Sequence, residues 1–267
     1  MKGRVLIVAG SDSGGGAGIQ ADVKTVTALG GYAATAITAL TAQNTTGVYG
    51  VHEVPVDFIR QQIELVLRDI GADALKTGML HSPAVLETVA ATLARDAAGV
   101  ALVVDPVMVA KGGASLLQDE ARGLLKTRLL PLATVLTPNL PEAEILAEME
   151  IPDEDAMLAA GRRLLALGPK AVLMKGGHMD GPEVVDLLVT DAGAERFASP
   201  RIESRHTHGT GCTLASAIAT GLAQQLALSQ AVGRARAYVQ EAIRTAPGYG
   251  RGHGPLNHAH TVRTFKA

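Results

Sequence analysis

The chain has 267 residues, of which 47% are hydrophobic and 19% charged, and its formal net charge is −2. These totals fit a globular chain with a large core, and the slightly acidic balance argues against a nucleic acid partner. The single cysteine excludes an internal disulfide. The first apolar run stops at Gly10, too early for a signal peptide, and no run reaches the length of a membrane span. We therefore expect a cytoplasmic protein without a membrane partner.

Short apolar runs alternate with helical patterns along most of the chain. The runs predict strands at residues 5–9, 33–40, 74–80, 101–104, 134–136 and 171–174. Helices are predicted at 17–29, 55–70, 82–96, 119–130, from 142 onward, at 153–167, after 211 and at 229–245. Two more polar strands, 184–189 and 195–198, are expected to pair antiparallel at one edge, and the polar segments 11–16 and 41–47 are expected to be loops. The alternation predicts an α/β fold with a mostly parallel central sheet, helices on both faces and a single domain, 1–267.

Polar residues follow several of the predicted strands directly. Since ligands of parallel sheets bind beyond the carboxyl ends of the strands, these residues are expected along one rim. They belong to the segments Gly10-Ser11-Asp12, Thr41-Ala42-Gln43, Lys76-Thr77-Gly78, Asp105-Pro106, Thr137-Pro138-Asn139 and Lys175-Gly176-Gly177.

A glycine-rich turn late in the chain, Gly209-Thr210-Gly211-Cys212, runs directly into a helical pattern. The first main-chain N–H groups of a helix have no partner inside it, and the helix dipole favours an anion in front of them. Phosphate is the expected guest, and a Cys212 thiolate would be stabilised at the same place. The turn also fits a simple tight loop, and a lone cysteine also fits a small buried hydrophobic residue.

Several common nucleotide and hydrolase motifs are absent from the sequence. It contains no Gly-x-x-x-x-Gly-Lys-Ser/Thr loop, no Gly-x-Gly-x-x-Gly after the first strand and no Gly-x-Ser-x-Gly elbow. An anion-binding turn, a lysine and carboxylates on strand ends remain. Phosphoryl transfer requires this set of groups.

The sequence resembles the hydroxymethylpyrimidine/phosphomethylpyrimidine kinases of thiamine biosynthesis, a ribokinase-like family. The matching segments occur in the family's order and cover nearly the whole chain: residues 9–22, 39–44, 76–79, 105–108, 137–142, 175–178, 209–212 and 252–258. The resemblance implies an ATP- and Mg²⁺-dependent kinase of ribokinase-like fold. It would phosphorylate 4-amino-5-hydroxymethyl-2-methylpyrimidine and then the resulting monophosphate, as a homodimer.

The resemblance also assigns a set of substrate-binding residues. Gln43 corresponds to the family's reader of the pyrimidine, because a carboxamide offers a donor and an acceptor to an aminopyrimidine edge. Asp22 corresponds to a second substrate contact, Met79 and Val107 to apolar walls, and Gly10 to a further contact. The alternatives are a solvated loop glutamine, an acidic residue on an exposed helix face, and ordinary core residues.

The nucleotide end is assigned in the same way. Asp105 and Glu142 correspond to the carboxylates that hold Mg²⁺, directly or through water, and Lys175 and Asn139 to ATP-binding residues. Glu142 also fits a first-turn helix acid, and Lys175 a solvated lysine at a strand end.

Catalysis is assigned to the glycine-rich turn. Gly209, Thr210 and Gly211 would form an anion hole for the transferred phosphoryl group, and Cys212 would take the proton of the acceptor hydroxyl as a thiolate. Relatives in the wider ribokinase-like group carry an aspartate at the Cys212 position. His206 and His208 are expected to line or brace this loop rather than to bind zinc.

Two other functions remain open at this point. Kinases of this fold group also phosphorylate pyridoxal, which makes a pyridoxal or pyridoxine kinase the nearest alternative. A non-catalytic nucleotide-binding regulator on the same fold is the alternative from another class. The sequence does not decide whether the segment 109–114 closes over the substrate.

Overall fold

A computed structural model describes residues 1–109, 113 and 116–263 of the chain. One nine-stranded sheet runs through the molecule, in the order β3-β2-β1-β4-β5-β6-β7-β8-β9. Its strands are β1 (Arg4–Asp12), β2 (Tyr32–Asn44), β3 (Gly47–Glu53), β4 (Ala74–Thr77), β5 (Ala101–Val104), β6 (Val135–Leu136), β7 (Ala171–Lys175), β8 (Glu183–Thr190) and β9 (Gly193–Pro200).

The six central strands from β2 to β7 pair in parallel, whereas β3, β8 and β9 are antiparallel to their neighbours. A parallel strand is covered on both faces, which is why the central strands are nearly continuous apolar runs. The predicted mostly parallel sheet is confirmed, and so is the antiparallel pair β8–β9 at one edge.

Helices cover both faces of the sheet, as predicted. They are α1 (Gly18–Ala28), α2 (Val56–Asp69), α3 (Pro83–Asp96), α4 (Ala121–Leu124), α5 (Leu140–Ala147), α6 (Glu154–Leu165), α7 (Thr210–Ala223) and α8 (Leu228–Arg244). None of these helices in the described part of the chain is long and apolar enough to cross a membrane.

The alternation of side chains along β1 divides the core between the two faces. Leu6 and Val8 pack with α2, α3, α5 and α6, whereas Val5, Ile7 and Ala9 pack with α1, α7 and α8. Both clusters are aliphatic, as expected of a chain with 3% aromatic residues. Helix α7 packs on the same face of the sheet as α1, and its first residues, Thr210, Gly211 and Cys212, lie near the strand-end residues Asp105 and Lys175.

The predicted loops at 11–16 and 41–47 are wrong in part. Strand β1 continues through Ser11 and Asp12, which pair with Leu40 and Thr41 of β2. Strand β2 continues to Asn44 and turns back into β3, which the sequence analysis missed. Main-chain pairing extends these strands through residues whose side chains gave no strand pattern, since β3 is an edge strand with mostly exposed side chains.

The predicted helix at 119–130 is also more irregular than expected. Helix α4 lasts one turn, continues as a π-helical turn at Leu125–Leu129 and ends in a 3₁₀ turn at Leu130–Leu132. Pro131 lies in that last turn, where a missing main-chain N–H ends the regular hydrogen bonding. The strand β6 that follows brings Asn139 to the rim.

Candidate active site

A cavity of about 670 Å³ opens at the carboxyl ends of the parallel strands. It is lined by twelve of the thirteen residues predicted for the site, all but Asp22: Gly10, Gln43, Met79, Asp105, Val107, Asn139, Glu142, Lys175, Gly209, Thr210, Gly211 and Cys212. The structure therefore brings residues from seven separate chain segments to one place, as the strand-end argument predicted.

The glycine-rich turn leads into α7 through Gly209, which has a φ of +84°. A Cβ atom on Gly209 would lie 1.8 Å from the carbonyl oxygen of Gly16, so the turn packs directly against the loop after β1. Gly211 lies inside the first turn of α7. A Cβ atom there would lie 3.3 Å from Lys175 Nζ and 3.6 Å from Asp105 Oδ2, so the space in front of this helix end faces a charged pair.

The amides at the start of α7 give this space its affinity for anions. Thr210 N–H donates to the Thr207 carbonyl and Thr213 N–H to the Gly209 carbonyl. For Gly211 and Cys212, the described residues provide no main-chain acceptor outside the helix. These two N–H groups, the dipole of a 14-residue helix and the Lys175 ammonium together favour a negatively charged ligand.

Lys175 forms an ion pair with Asp105, with 3.2 Å between Nζ and Oδ1. Both side chains are largely buried, and they come from the ends of β7 and β5. Burial lowers the pKa of Lys175, but Asp105 and Glu142 outweigh burial and raise the pKa above its ordinary value. Lys175 is therefore a permanent cation, and the alternative of a solvated strand-end lysine is wrong.

Glu142 and Asn139 form a capping box at the start of α5. The Asn139 side chain accepts from Glu142 N–H, and the Glu142 carboxylate accepts from Asn139 N–H, both at 2.9 Å. Burial raises the pKa of Glu142; Lys175 lowers it and Asp105 raises it again. Glu142 is thus a first-turn helix acid and also a residue on the cavity wall, and its role toward Mg²⁺ stays a prediction.

Asp105 and Glu142 are suited to a Mg²⁺ ion that also binds a phosphate. Mg²⁺ usually keeps several waters and takes only one or two carboxylates, together with substrate oxygens. Both carboxylates line the cavity beside the Lys175 ammonium. The described residues contain no cluster of three or more His, Cys, Asp or Glu side chains that could hold a metal alone. The donor set fits a nucleotide-bound Mg²⁺ and does not form a closed protein cage.

The environment of Cys212 differs from the sequence-based expectation. Burial raises the pKa of the thiol to about 12, because the opposing effect of Lys76 is offset by the negative charges of Asp22 and Asp105. This direction contradicts the expected stabilised thiolate. Desolvation and the two carboxylates favour the protonated thiol, which keeps its proton at neutral pH.

Asp22 lies beneath the cavity rather than on its wall. It is fully buried and forms an ion pair with the fully buried Lys76, with its two oxygens 3.0 and 2.9 Å from Nζ. Ser216, one helical turn after Cys212, donates to Asp22 at 2.6 Å. The structure thus contradicts both a direct substrate contact for Asp22 and an exposed helix face. Lys76, which does line the cavity, is a charged residue that the sequence analysis did not assign.

A polar network surrounds Gln43 at the other end of the cavity. His208 Nε2 lies 2.9 Å from Asp12 Oδ2 and 3.2 Å from Gln43 Nε2, and Thr41 Oγ1 lies 3.1 Å from Gln43 Oε1. All four residues line the cavity. Gln43 is therefore held within the site rather than solvated in a loop. The sequence analysis did not assign roles to Asp12 and Thr41, although both lie in the strand-end segments it singled out.

Apolar side chains enclose the space beside this network. Met79 and Leu116 are buried, Val107 is half-buried, and a Cβ atom on Gly10 would lie 3.0 Å from the Met79 sulfur. Met79, Val107 and Leu116 thus give this part of the cavity apolar walls, the kind of surface that an aromatic ring contacts. In the segment 109–114, residues 110–112 and 114 lie outside the described residues. The closure of this segment over the substrate therefore concerns residues outside the described part of the chain.

The cavity also extends away from Gln43, past Lys175 and the start of α7. Its apolar walls there come from Ile202, Leu214, Val239 and Ile243, beside the polar groups of His178 and Gln240. This arm lies between the antiparallel edge and helices α7 and α8. The cavity thus joins the polar network at Gln43, the charged groups at Lys175 and this apolar lining.

Comparison with known proteins gives a consistent result. The family model described as Phosphomethylpyrimidine kinase matches residues 12–257. The Thiamine biosynthesis bifunctional protein ThiED of Geobacter sulfurreducens is 56% identical over 257 residues, covering 96% of this chain but 52% of that protein, so the chain spans about half of its length. The Hydroxymethylpyrimidine/phosphomethylpyrimidine kinase of Streptomyces coelicolor is 50% identical over 254 residues, covering 95% of this chain and 93% of that protein.

Among solved structures, the ADP complex of Bacillus subtilis pyridoxal kinase superimposes with a TM-score of 0.90 at 36% identity, covering 97% of this chain and 98% of that one. This likeness confirms the predicted ribokinase-like fold. The family match covers most of the chain, and identity is higher to the pyrimidine kinases than to the pyridoxal kinase. The chain therefore belongs to the phosphomethylpyrimidine kinase family.

Proposed function

We propose that the protein transfers the γ-phosphoryl group of ATP to 4-amino-5-hydroxymethyl-2-methylpyrimidine, and then a second one to the monophosphate, in thiamine biosynthesis. The main support is one observation. A single cavity brings together the N-terminus of α7, the Lys175–Asp105 pair, Glu142, the polar network at Gln43 and the apolar lining at Val239 and Ile243. The family membership and the 50% identity to the Streptomyces coelicolor kinase support it.

The pocket at Gln43 is proposed to bind the pyrimidine. The carboxamide of Gln43 pairs with the exocyclic amino group and a ring nitrogen, while Met79 and Val107 contact the two faces of the ring. The close packing of Gly10 against Met79 keeps the ring near the strand end. The hydroxymethyl group then points toward Cys212 and the start of α7.

The start of α7 is proposed to bind the phosphoryl group during transfer. The Gly211 and Cys212 amides donate to its oxygens, and Lys175 supplies a fixed positive charge. Gly209 and Thr210 hold the turn in the required shape. Asp105 and Glu142 are proposed to bind a Mg²⁺ ion with the nucleotide phosphates, with Asn139 holding Glu142 in place; the ion supplies neutralisation of phosphate charge. ATP itself extends into the arm lined by Val239 and Ile243.

Cys212 is proposed to stand next to the acceptor hydroxyl and to take its proton as the thiolate, the minor form of a group whose pKa is raised to about 12. A thiol that still holds its own proton cannot accept a second one, so the Cys212 proton leaves to solvent before this step. A loose transition state requires little early proton removal, so the proton can leave after most of the bond to the leaving group has broken. The role of Cys212 is then smaller than that of the helix amides.

A coupled ADP-release assay tests the proposed function. It is run with the hydroxymethylpyrimidine, with its monophosphate and with pyridoxal, each with ATP and Mg²⁺. We expect turnover of both pyrimidines, with pyridoxal slower, and at least a 100-fold loss in Lys175→Met. Faster turnover of pyridoxal would favour the pyridoxal kinase alternative. No ADP release with any aromatic alcohol would overturn the kinase proposal in favour of a nucleotide-binding regulator.

The proposal also covers the domain organisation, the oligomeric state and the cellular compartment. We propose that the chain folds as one unit, because one sheet joins all of its described elements. We also propose a homodimer that forms through the β3 edge of the sheet, where large apolar side chains are exposed. The expected compartment is the cytoplasm, where ATP and a reduced cysteine are both available.

A further inference from the structure

Gln43 is held in place by its main chain as well as by its side chain. The Ser13 hydroxyl accepts from Gln43 N–H and donates to the Gln43 carbonyl, both at 2.9 Å. The two ends of the carboxamide face different partners, Thr41 Oγ1 at 3.1 Å and His208 Nε2 at 3.2 Å. The orientation of the amide, oxygen toward one partner and nitrogen toward the other, therefore depends on which partner donates.

Asp12 settles the direction of the hydrogen bond on the His208 side. Its carboxylate accepts from three main-chain N–H groups, those of Gly14, Gly16 and Ala17, at 2.8, 3.0 and 2.8 Å. Burial raises the pKa of Asp12, but the hydrogen bonds from His208, Ala17 and Gly14 outweigh it and lower the pKa below its ordinary value. Asp12 is therefore ionised and can only accept hydrogen bonds.

His208 must then carry a proton on Nε2. This nitrogen lies 2.9 Å from Asp12 Oδ2, and two acceptors would repel each other at that distance. A protonated Nε2 cannot accept from the Gln43 NH₂ group. A half-turn of the carboxamide resolves the conflict, because Oε1 then faces the single Nε2–H hydrogen, which it shares with Asp12, and NH₂ donates to Thr41 Oγ1. Thr41 Oγ1 keeps its own proton for the Ser11 carbonyl at 2.9 Å.

We propose that His208, oriented by Asp12, is a positioning residue that sets the amide orientation of Gln43 and thereby selects a 4-aminopyrimidine. The inference rests on the proposed function. With both ends anchored, Gln43 has one oxygen lone pair and one N–H left for the substrate. They match the exocyclic amino group, which donates, and the adjacent ring nitrogen, which accepts. The amino group of the substrate then lies on the His208 side.

The 4-oxo analogue presents the opposite pattern, an accepting oxygen beside a donating ring N–H. It requires the other amide orientation, which places the NH₂ group of Gln43 against the protonated His208 Nε2. The wild-type site therefore rejects this analogue. Without a donor at position 208, the amide is free to turn, and part of the discrimination between the two rings is lost.

Nitrogen-15 NMR of the histidine-labelled protein at neutral pH tests the first step directly. The His208 signals are assigned by their absence from the spectrum of His208→Gln. We expect Nε2 to carry a proton, seen as a directly bonded hydrogen and a protonated-nitrogen chemical shift. An unprotonated Nε2 overturns the proposal, whatever the enzyme phosphorylates.

The second step is tested by the ratio of kcat/KM for the 4-amino and the 4-oxo pyrimidine in full-length variants. His208→Phe removes the donor, His208→Gln replaces it, and His253→Phe is the matched control, an exposed histidine of the C-terminal segment. We expect the ratio to fall about five- to tenfold in His208→Phe, the effect of one uncharged hydrogen bond, and to recover in His208→Gln. A merely structural role lowers both values equally.

An unchanged ratio in a folded, active His208→Phe would overturn the proposal, and so would an equal fall in the His253→Phe control. Failure of the proposed function is distinct, since it appears as no turnover of either pyrimidine by the wild-type protein. In that case the protonation of His208 Nε2 still decides whether the Asp12–His208 pair orients Gln43.

Discussion

At the scale of single residues, the buried pair Lys76–Asp22 shows what a sequence pattern does not reveal. The two residues are 54 positions apart, and each alone fits an ordinary strand or helix position. Burial lowers the pKa of Lys76, but the attraction of Asp22 and Asp105 outweighs burial and raises it. Sequence analysis identified the strand ends, but it had no means of finding which charges meet beneath them.

We expect Lys76→Met to destabilise the fold by about 3–5 kcal/mol, because it leaves the Asp22 carboxylate buried without a cation. The double variant Lys76→Met, Asp22→Leu should be more stable than the single variant, since it removes the unpaired charge as well. Urea unfolding followed by circular dichroism measures both values.

The matched control for this prediction is the exposed pair Arg128–Glu87, which has a comparable 2.7 Å contact at the surface. Arg128→Met should cost less than about 1 kcal/mol, because solvent screens the exposed pair. Equal costs for Lys76→Met and Arg128→Met would contradict the assignment of Lys76 as a buried structural cation.

The raised pKa of Cys212 makes a prediction about its reactivity. The thiolate is the species that reacts with alkylating reagents, and a pKa of about 12 leaves very little thiolate at neutral pH. We expect the rate of alkylation by iodoacetamide to keep rising about tenfold per pH unit between pH 7 and pH 9.5. An ordinary thiol with a pKa near 8.5 levels off within that range.

The urea-unfolded protein serves as the control for Cys212, because its thiol is solvated and should follow the ordinary profile. A plateau that begins below pH 8 in the folded protein, earlier than in the unfolded control, would show that the helix N-terminus outweighs burial. The expectation of a stabilised thiolate would then be restored, together with a larger role for Cys212 as the base.

At the scale of elements, the turn before α7 contains two glycines, and each position favours glycine for a different physical reason. Gly209 has a positive φ and almost touches the Gly16 carbonyl, whereas Gly211 lies in the helix and faces Lys175 and Asp105. The sequence predicted the place of this glycine turn correctly, because glycine spacing before a helical pattern is a local signal. The sequence did not show that Gly209 forms the turn while Gly211 faces the cavity, since that difference depends on residues far along the chain.

We expect Gly209→Ala and Gly211→Ala to differ in stability as well as activity. Gly209→Ala should lose at least about 1–2 kcal/mol of stability, because alanine is strained at positive φ and its Cβ meets Gly16. Gly211→Ala should retain or gain stability, by up to about 1 kcal/mol, since alanine favours a helix.

Activity should fall about 100-fold in Gly211→Ala despite its stability, because the added methyl group occupies the space for the phosphoryl group. Thermal unfolding and steady-state kinetics with varied ATP measure the two effects on the same preparations. Normal kinetics in Gly211→Ala would place the phosphoryl group elsewhere than in front of α7.

The hairpin of β2 and β3 shows where local patterns fail for elements. Residues 41–47 read as a polar loop, yet the strand continues to Asn44 because each polar residue finds a main-chain partner across the hairpin. This extension brings Gln43 into the cavity. The short apolar strands β4 and β5 were placed well by comparison, since burial on both faces leaves a continuous apolar run.

At the scale of the whole molecule, the alternation of strands and helices predicted the architecture without knowledge of any contact. Right-handed crossovers and a parallel sheet bring the strand ends to one rim, so twelve of the thirteen assigned residues line one cavity. The two edges of the sheet differ. Strand β9 carries Glu195, Arg196 and Pro200, which discourage pairing, whereas β3 carries the exposed Tyr49 and the neighbouring strand β2 the exposed Leu40.

The apolar β3 edge leads to a prediction about assembly. Tyr49 is 71% and Leu40 45% exposed, and in the described part of the chain no strand lies on the outer side of β3. A second copy of the chain would bury this surface. We expect the wild-type protein to sediment as a dimer at micromolar concentration, and the variant Leu40→Lys, Tyr49→Lys to sediment as a monomer with an unchanged circular dichroism spectrum.

The control for assembly is Val262→Lys, which adds a charge at another exposed apolar residue, 58% accessible and away from the sheet edge. It should leave the dimer intact, because a single exposed apolar side chain outside a patch is ordinary surface. Sedimentation velocity at several protein concentrations separates a weak dimer from a monomer by mass action. Two outcomes would contradict the prediction: the variant Leu40→Lys, Tyr49→Lys remains a dimer, or the wild-type protein is a monomer. Either would show that a second copy of the chain does not cover the β3 edge.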